Sequence, residues 1–183
     1  MLPGQETRAS RRLNFYLQLT GILSSSTKFL VEGGIANLED QGFVYRQPIL
    51  DSAYGLELRY ADAGMIYIKG ELNSNIKDKL LIHASGELRS FNMSEEGPWH
   101  VPFFEGEISA SYLFREKLKM GMGFDLVGPR VVFDGSFAAF GQPVIAGFVD
   151  AKLELEYRYN SRLGAFINVN NLFNQQYDWF LGY

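Results

Sequence analysis

Residues 104–127 read FEGEISASYLFREKLKMGMGFDLV, and their alternation decides the fold. Phe104, Gly106, Ile108, Ala110, Tyr112 and Phe114 alternate with Glu105, Glu107, Ser109 and Ser111. After Arg115, Glu116 and Lys117, the pattern resumes: Leu118, Met120, Met122, Phe124 and Leu126 alternate with Lys119, Gly121, Gly123 and Asp125. Strict period two sends successive side chains to opposite sides of a strand, whereas a helix would mix the two sets. A turn centred on Glu116 pairs Phe114 with Leu118, Tyr112 with Met120, Ala110 with Met122 and Ile108 with Phe124. It also sets Glu107 opposite Asp125, a costly pairing in a dry core and a tolerable one in a hydrated lumen.

The same alternation runs outward in both directions. Ile66, Ile68, Gly70 and Leu72 oppose Tyr67, Lys69 and Glu71, and Leu80, Ile82, Ala84 and Leu88 oppose His83, Ser85, Glu87 and Arg89. Val149, Ala151, Leu153, Leu155, Tyr157 and Tyr159 oppose Asp150, Lys152, Glu154, Glu156 and Arg158, and Leu163, Ala165, Ile167 and Val169 oppose Phe166, Asn168 and Asn170. Weaker stripes lie at Leu13–Leu19, at Phe29, Val31 and Ile35, and at Tyr54, Leu56, Leu58 and Tyr60. The chain therefore reads as all-β, an antiparallel up-and-down sheet of about nine strands within one region. Residues 1–11 form a leading tail, 12–172 the strands, and 173–183 either a loop or a short closing strand. In the closing-strand alternative Tyr177, Trp179, Leu181 and Tyr183 form an apolar stripe, and the count reaches ten.

Composition narrows the function classes. The 183 residues include 15 Phe, 10 Tyr, 2 Trp and 19 Gly, a balance that favours sheet. A net charge of −4 leaves no basic footprint for nucleic acid, and the absence of cysteine removes disulfides and thiolate metal sites. No apolar run is long enough for a membrane-spanning helix. MLPGQETRASRR at the start has no apolar core and does not read as a secretory signal.

Connection lengths and strand lengths argue for a membrane barrel over a soluble sheet. Tight turns fall at 77–78, 115–117 and 160–161, and long connections at 92–101, at 128–143 and after Leu172. Short turns on one rim and long loops on the other are the plan of an outer-membrane barrel, whose strands need about 9–11 residues. Residues 61–64 fit this plan poorly, because they would form a short loop on the long-loop rim. Tyr112, Phe114, Tyr157 and Tyr159 collect beside the short turns, where an interfacial aromatic girdle sits. Small residues on the apolar face, among them Gly70, Ala84, Gly106, Ala110, Ala151 and Ala165, pack poorly in a water-soluble core but suit adaptable lipid chains.

FINVNNLFNQQYDWFLGY, residues 166–183, resembles the penultimate strand and following loop of TonB-dependent receptors, whose barrels carry an NLF…Y pattern there. GELNSNIKDKLLIHASGELRSFN, GPWHVPFFEGEISASYLFREKLKMGMGFDLVGPR and DAKLELEYRYN look like the matching hairpins of outer-membrane barrels from the Bacteroidetes group. The likeness spans roughly residues 50–183. It implies the C-terminal barrel portion of an outer-membrane transporter, with the lipid bilayer, a plug domain and TonB as partners. In that family one more strand follows the tyrosine region. A non-transporting structural or partner-binding barrel is the alternative.

The polar face would line the lumen through Lys69, Glu71, His83, Glu87, Arg89, Glu105, Lys152, Glu154, Glu156 and Arg158. The resemblance implies that these side chains meet plug or substrate. His83 is placed to meet Glu71 across its hairpin. The glutamates recur at period two over three strands, as on a solvated face, and no bounded cleft suits paired-carboxylate catalysis. No catalytic, metal or cofactor site is read. In the long loops Trp99 either anchors at the membrane surface or folds back onto the rim. With His100, Phe133, Phe137 and Phe140 it forms the candidate set for contact with another loop, a ligand or a partner protein.

Overall fold

A computed structural model describes residues 9–49, 53–93, 97–132 and 144–180. In chain order the strands are β1 (Arg11–Ser24), β2 (Thr27–Ile49), β3 (Ala53–Ile76), β4 (Leu80–Asn92), β5 (Phe104–Phe114), β6 (Leu118–Val127), β7 (Arg130–Val131), β8 (Val144–Ile145), β9 (Phe148–Arg158) and β10 (Gly164–Val169). Eight of them form one antiparallel meander, β1-β2-β3-β4-β5-β6-β9-β10, and β7 and β8 pair separately inside the β6–β9 connection. Among the described residues β1 and β10 are its two edges, and no helix is long and apolar enough to cross a membrane, which says nothing of crossing by strands.

The hairpin at 104–127 has the register its alternation requires: Phe114 opposite Leu118, Tyr112 opposite Met120, Ala110 opposite Met122, Ile108 opposite Phe124, and Glu107 opposite Asp125. Following register from strand to strand extends one apolar row across the sheet. Ile35 meets Ile66, Ala84 meets Ile108, Phe124 meets Ala151, and Leu155 meets Ile167. Most of this row is open, although Ala151 is buried at 1% exposure. Ile66 is 65% exposed and Ile68 51%, although β3 has neighbours on both sides. A soluble sheet would bury that face against a second layer, so an apolar face left open over most of the meander is a lipid-facing one.

Two expectations change. The stripes at 54–60 and 66–72 belong to the single strand β3, and residues 61–64 lie inside it rather than in a loop: Ala61 pairs with Gln41, Ala63 with Leu38 and Gly64 with Asn37. The cause is a bulge on β2, where the register shifts between Leu38 and Gln41 and Asp40 adopts φ 51°. Asp40 donates its backbone N–H to the Asp62 carboxylate at 3.0 Å. An extra residue reverses side-chain parity. Ala36 and Leu38 therefore point inward before the bulge, and Phe43 and Tyr45 after it. β2 and β3 reach 23 and 24 residues, well beyond the ~9–11 that span a bilayer, and their hairpin projects past the long-loop rim.

The second change concerns the chain end. Residues 174–180 form no strand, so the closing-strand alternative fails over them, and 181–183 lie outside the described residues.

Candidate functional site

The inner face divides into two zones. Toward the short turns it is polar and open, a cleft of about 810 Å³ lined among others by Lys28, Asn73, His83, Glu107, Ser109, Ser111, Lys119, Lys152 and Glu154. Lys69, Glu71, His83, Glu87, Arg89, Glu105, Lys152, Glu154, Glu156 and Arg158 all fall on this inner side by strand parity. Register sets Glu87 opposite Glu105, and Asp125 opposite both Glu107 and Asp150. Cations answer these carboxylates. The Arg89 guanidinium reaches Glu87 at 3.2 Å and also pairs with Glu105, Lys152 pairs with Asp125, and Arg158 holds Glu156 at 2.7 Å.

His83 sits opposite Asn73, not Glu71, and its Nδ1 lies 2.8 Å from the Asn73 side-chain oxygen. Asn73 in turn donates to Glu71 at 2.6 Å, so the amide stands between the two groups expected to meet. No group of three or more His, Cys, Asp or Glu side chains among the described residues is arranged to hold a metal ion.

Toward the long loops the inner face of β2 and β3 is apolar. Ala36, Leu38, Phe43, Tyr45, Ala63, Met65 and Tyr67 form a buried cluster closed from above by Trp99. Gly34 makes room for it, since a Cβ there would stand 2.8 Å from the Tyr67 ring and from the Phe15 carbonyl. The Tyr67 ring lies across that gap, donates from its hydroxyl to Glu32 at 2.8 Å, and accepts from Asn14 Nδ2 at 2.9 Å.

Three segments then fold over this apolar zone. Trp99 packs edge-on against Tyr45 at 6.1 Å, which places it against the inner face of the rim rather than at the membrane surface. His100 donates its backbone N–H to the Val131 carbonyl at 2.9 Å, and its Nδ1 lies 2.8 Å from the Val44 carbonyl. Arg130, 1% exposed, donates to the backbone carbonyls of Asp178 at 2.8 Å and Trp179 at 3.2 Å. Its guanidinium also lies over the Phe148 and Trp179 rings. Tyr177 stacks flat on Phe148 at 4.0 Å, and burial together with the nearby Asp150 carboxylate pushes its phenol upward from the ordinary range. Phe133, Phe137 and Phe140 lie outside the described residues.

Sequence reading missed Arg130, Tyr177 and the aromatic pair Phe43 and Tyr45. The alternation FVYR at 43–46 carried a signal for that pair, but its numbering continues the outward stripe at Phe29 and Ile35, whereas the pair faces inward. Only the bulge reconciles the two.

No protein-family model matches the chain, and no curated protein matches it. Solved structures do. The ferric-catecholate import receptor Fiu from E. coli K12 is 16% identical with a TM-score of 0.66, over 93% of this chain and 24% of that one. The pyoverdine outer membrane receptor FpvA from Pseudomonas aeruginosa PAO1 is 16% identical with a TM-score of 0.68, over 95% and 27%. The ferric yersiniabactin uptake receptor FyuA from Yersinia pestis is 14% identical with a TM-score of 0.67, over 93% and 26%. The chain has the all-β, up-and-down fold of outer-membrane receptor barrels, and it spans about a quarter of the length of these neighbours, which are receptors rather than enzymes.

Proposed function

We propose that the chain is a barrel segment, the C-terminal one, of a TonB-dependent-receptor-like transporter that takes up solute across a bacterial outer membrane. The observation that carries this is the largely open apolar face of an eight-stranded meander that superposes on a receptor barrel over 93% of the chain. On this reading the lipid bilayer covers the apolar row, the short turns face the periplasm, and the long loops face outward. The charged cleft then meets a plug domain supplied by another part of the receptor, with Glu107, Lys119, Lys152 and Glu154 in its wall. TonB acts on that plug. The cargo class follows the solute that the outer zone admits, and the residues that select it belong to the long loops.

The test is extraction and refolding. In detergent micelles the protein should migrate faster on a gel before heating than after, and its strands should resist protease. Protein that stays soluble and monomeric without detergent would overturn the reading.

A further inference from the structure

We propose that His100 is a proton-operated latch: in its neutral form its ring holds the 97–103 loop, β7 and the chain end at 177–180 closed over the apolar inner zone, and its protonation releases them. This goes beyond the transport reading and does not depend on the cargo.

The geometry begins with the tautomer. Val44 offers a carbonyl, which only accepts, so Nδ1 carries the proton and donates across the 2.8 Å contact. Nε2 is then bare, buried and without a hydrogen-bond partner, in a residue 8% exposed. A proton added at Nε2 would create a buried cationic N–H with no acceptor, which is costly. The groups facing the ring sharpen that cost. β2 presents the neutral Val44 carbonyl, the chain end presents the Phe180 ring at 5.4 Å, and β7 presents the Arg130 cation. Asp178 and Glu105 are the carboxylates that act on Arg130. None of these groups bonds Nε2.

His100 also holds a left-handed backbone, φ 61°, uncommon for a residue other than glycine and kept only where surrounding contacts impose it. Losing those contacts lets the strain relax, so release favours opening twice over. Burial first, and the Arg130 charge after it, hold the imidazole below its ordinary value of 6.5, against the opposite pull of the Val44 bond. The open cap therefore binds the proton more tightly than the closed one. Closure is fully favoured above about pH 6.5 and weakens as pH falls through and below that value.

The chain contains only two tryptophans and two histidines. Both Trp99 and Trp179 lie in the cap, so their emission reads its opening directly. With the full chain in detergent micelles, lowering pH from 8 to 5 should red-shift the emission and raise acrylamide quenching, with a midpoint below 6.5 and an unchanged far-UV sheet signal. His83→Asn should keep this transition. His100→Asn, which tolerates the left-handed backbone and keeps an amide donor, should abolish it, as should His100→Gln. Asp178 and Glu105 remain in these variants, so a transition arising from them would persist there.

In the wild type, hydrogen exchange at the His100 amide should lose protection over the same pH range, after correction for the intrinsic rate. That measurement decides the matter even if both His100 variants fail to fold. A flat wild-type titration, an unaltered transition in a folded His100 variant, loss of the transition in His83→Asn, or an amide still protected at pH 5 would each overturn the latch.

Discussion

At the residue scale, Tyr67 shows how one side chain ties three strands. It stands on β3, lies across Gly34 on β2, and bonds Glu32 on β2 and Asn14 on β1. The hydroxyl is both donor and acceptor, so its loss leaves a carboxylate and an amide short of a partner in a partly buried place. Tyr67→Phe should lower unfolding stability in detergent by about 1–2 kcal/mol, read from the shift in urea midpoint. An unchanged midpoint would mean that water replaces the hydroxyl at no cost. The polar row was legible at this scale, because His83, Arg89 and Glu105 sit where period two places them. Their partners were not. Whether His83 meets Glu71 or Asn73 turns on a two-position offset along β3, and side-chain alternation, being the same for both, does not specify it.

At the scale of the element, the β2 bulge is the deciding feature. Asp40 is the extra residue, and it lets one continuous β2–β3 ladder bury Ala36 and Leu38 on one side of the shift and Phe43 and Tyr45 on the other. Deleting Asp40 should remove the bulge and restore regular alternation, with Glu39 alone opposite Asp62 and Phe43 and Tyr45 still facing inward. Trp99 should keep its edge-on partner, so its emission should match that of the wild type while the short-turn half of the sheet keeps its protease resistance. A red shift would show that Asp40 is not the extra residue of the ladder. The bulge has no signature of its own in the residues. Read as two stripes separated by a polar Asp and small residues, 54–60 and 66–72 suggest two strands, and only pairing with a long partner joins them.

For the whole molecule, the apolar row and the inner zones set opposite rules for the same substitution. Ile108 lies near the middle of β5 on the bare face, 49% exposed, while Ser109 beside it lines the polar cleft. Ile108→Arg should cost about 2–4 kcal/mol of folding stability in lipid vesicles, the penalty for a cation near the bilayer midplane. Ser109→Arg should be tolerated far better, since Glu107 and Glu154 line the same open cleft. Equal effects at the two positions would contradict the lipid-facing assignment. The closed cap adds a second division, so that the outer half of the inner face is sealed by this chain's own loops while the inner half stays open.

The sequence by itself determined the strands, their two faces, the register of the 104–127 hairpin and the unequal rims. All of these follow from local quantities, a period of two and the number of residues between stripes. Only the tertiary structure decided the bulge that makes one strand of two stripes, the folded-in Trp99, and the cap itself. His100 meets Val44 across 56 positions and Arg130 meets Asp178 across 48. Contacts at that separation arise from how loops pack onto a curved sheet, and alternation along a strand carries no information about them.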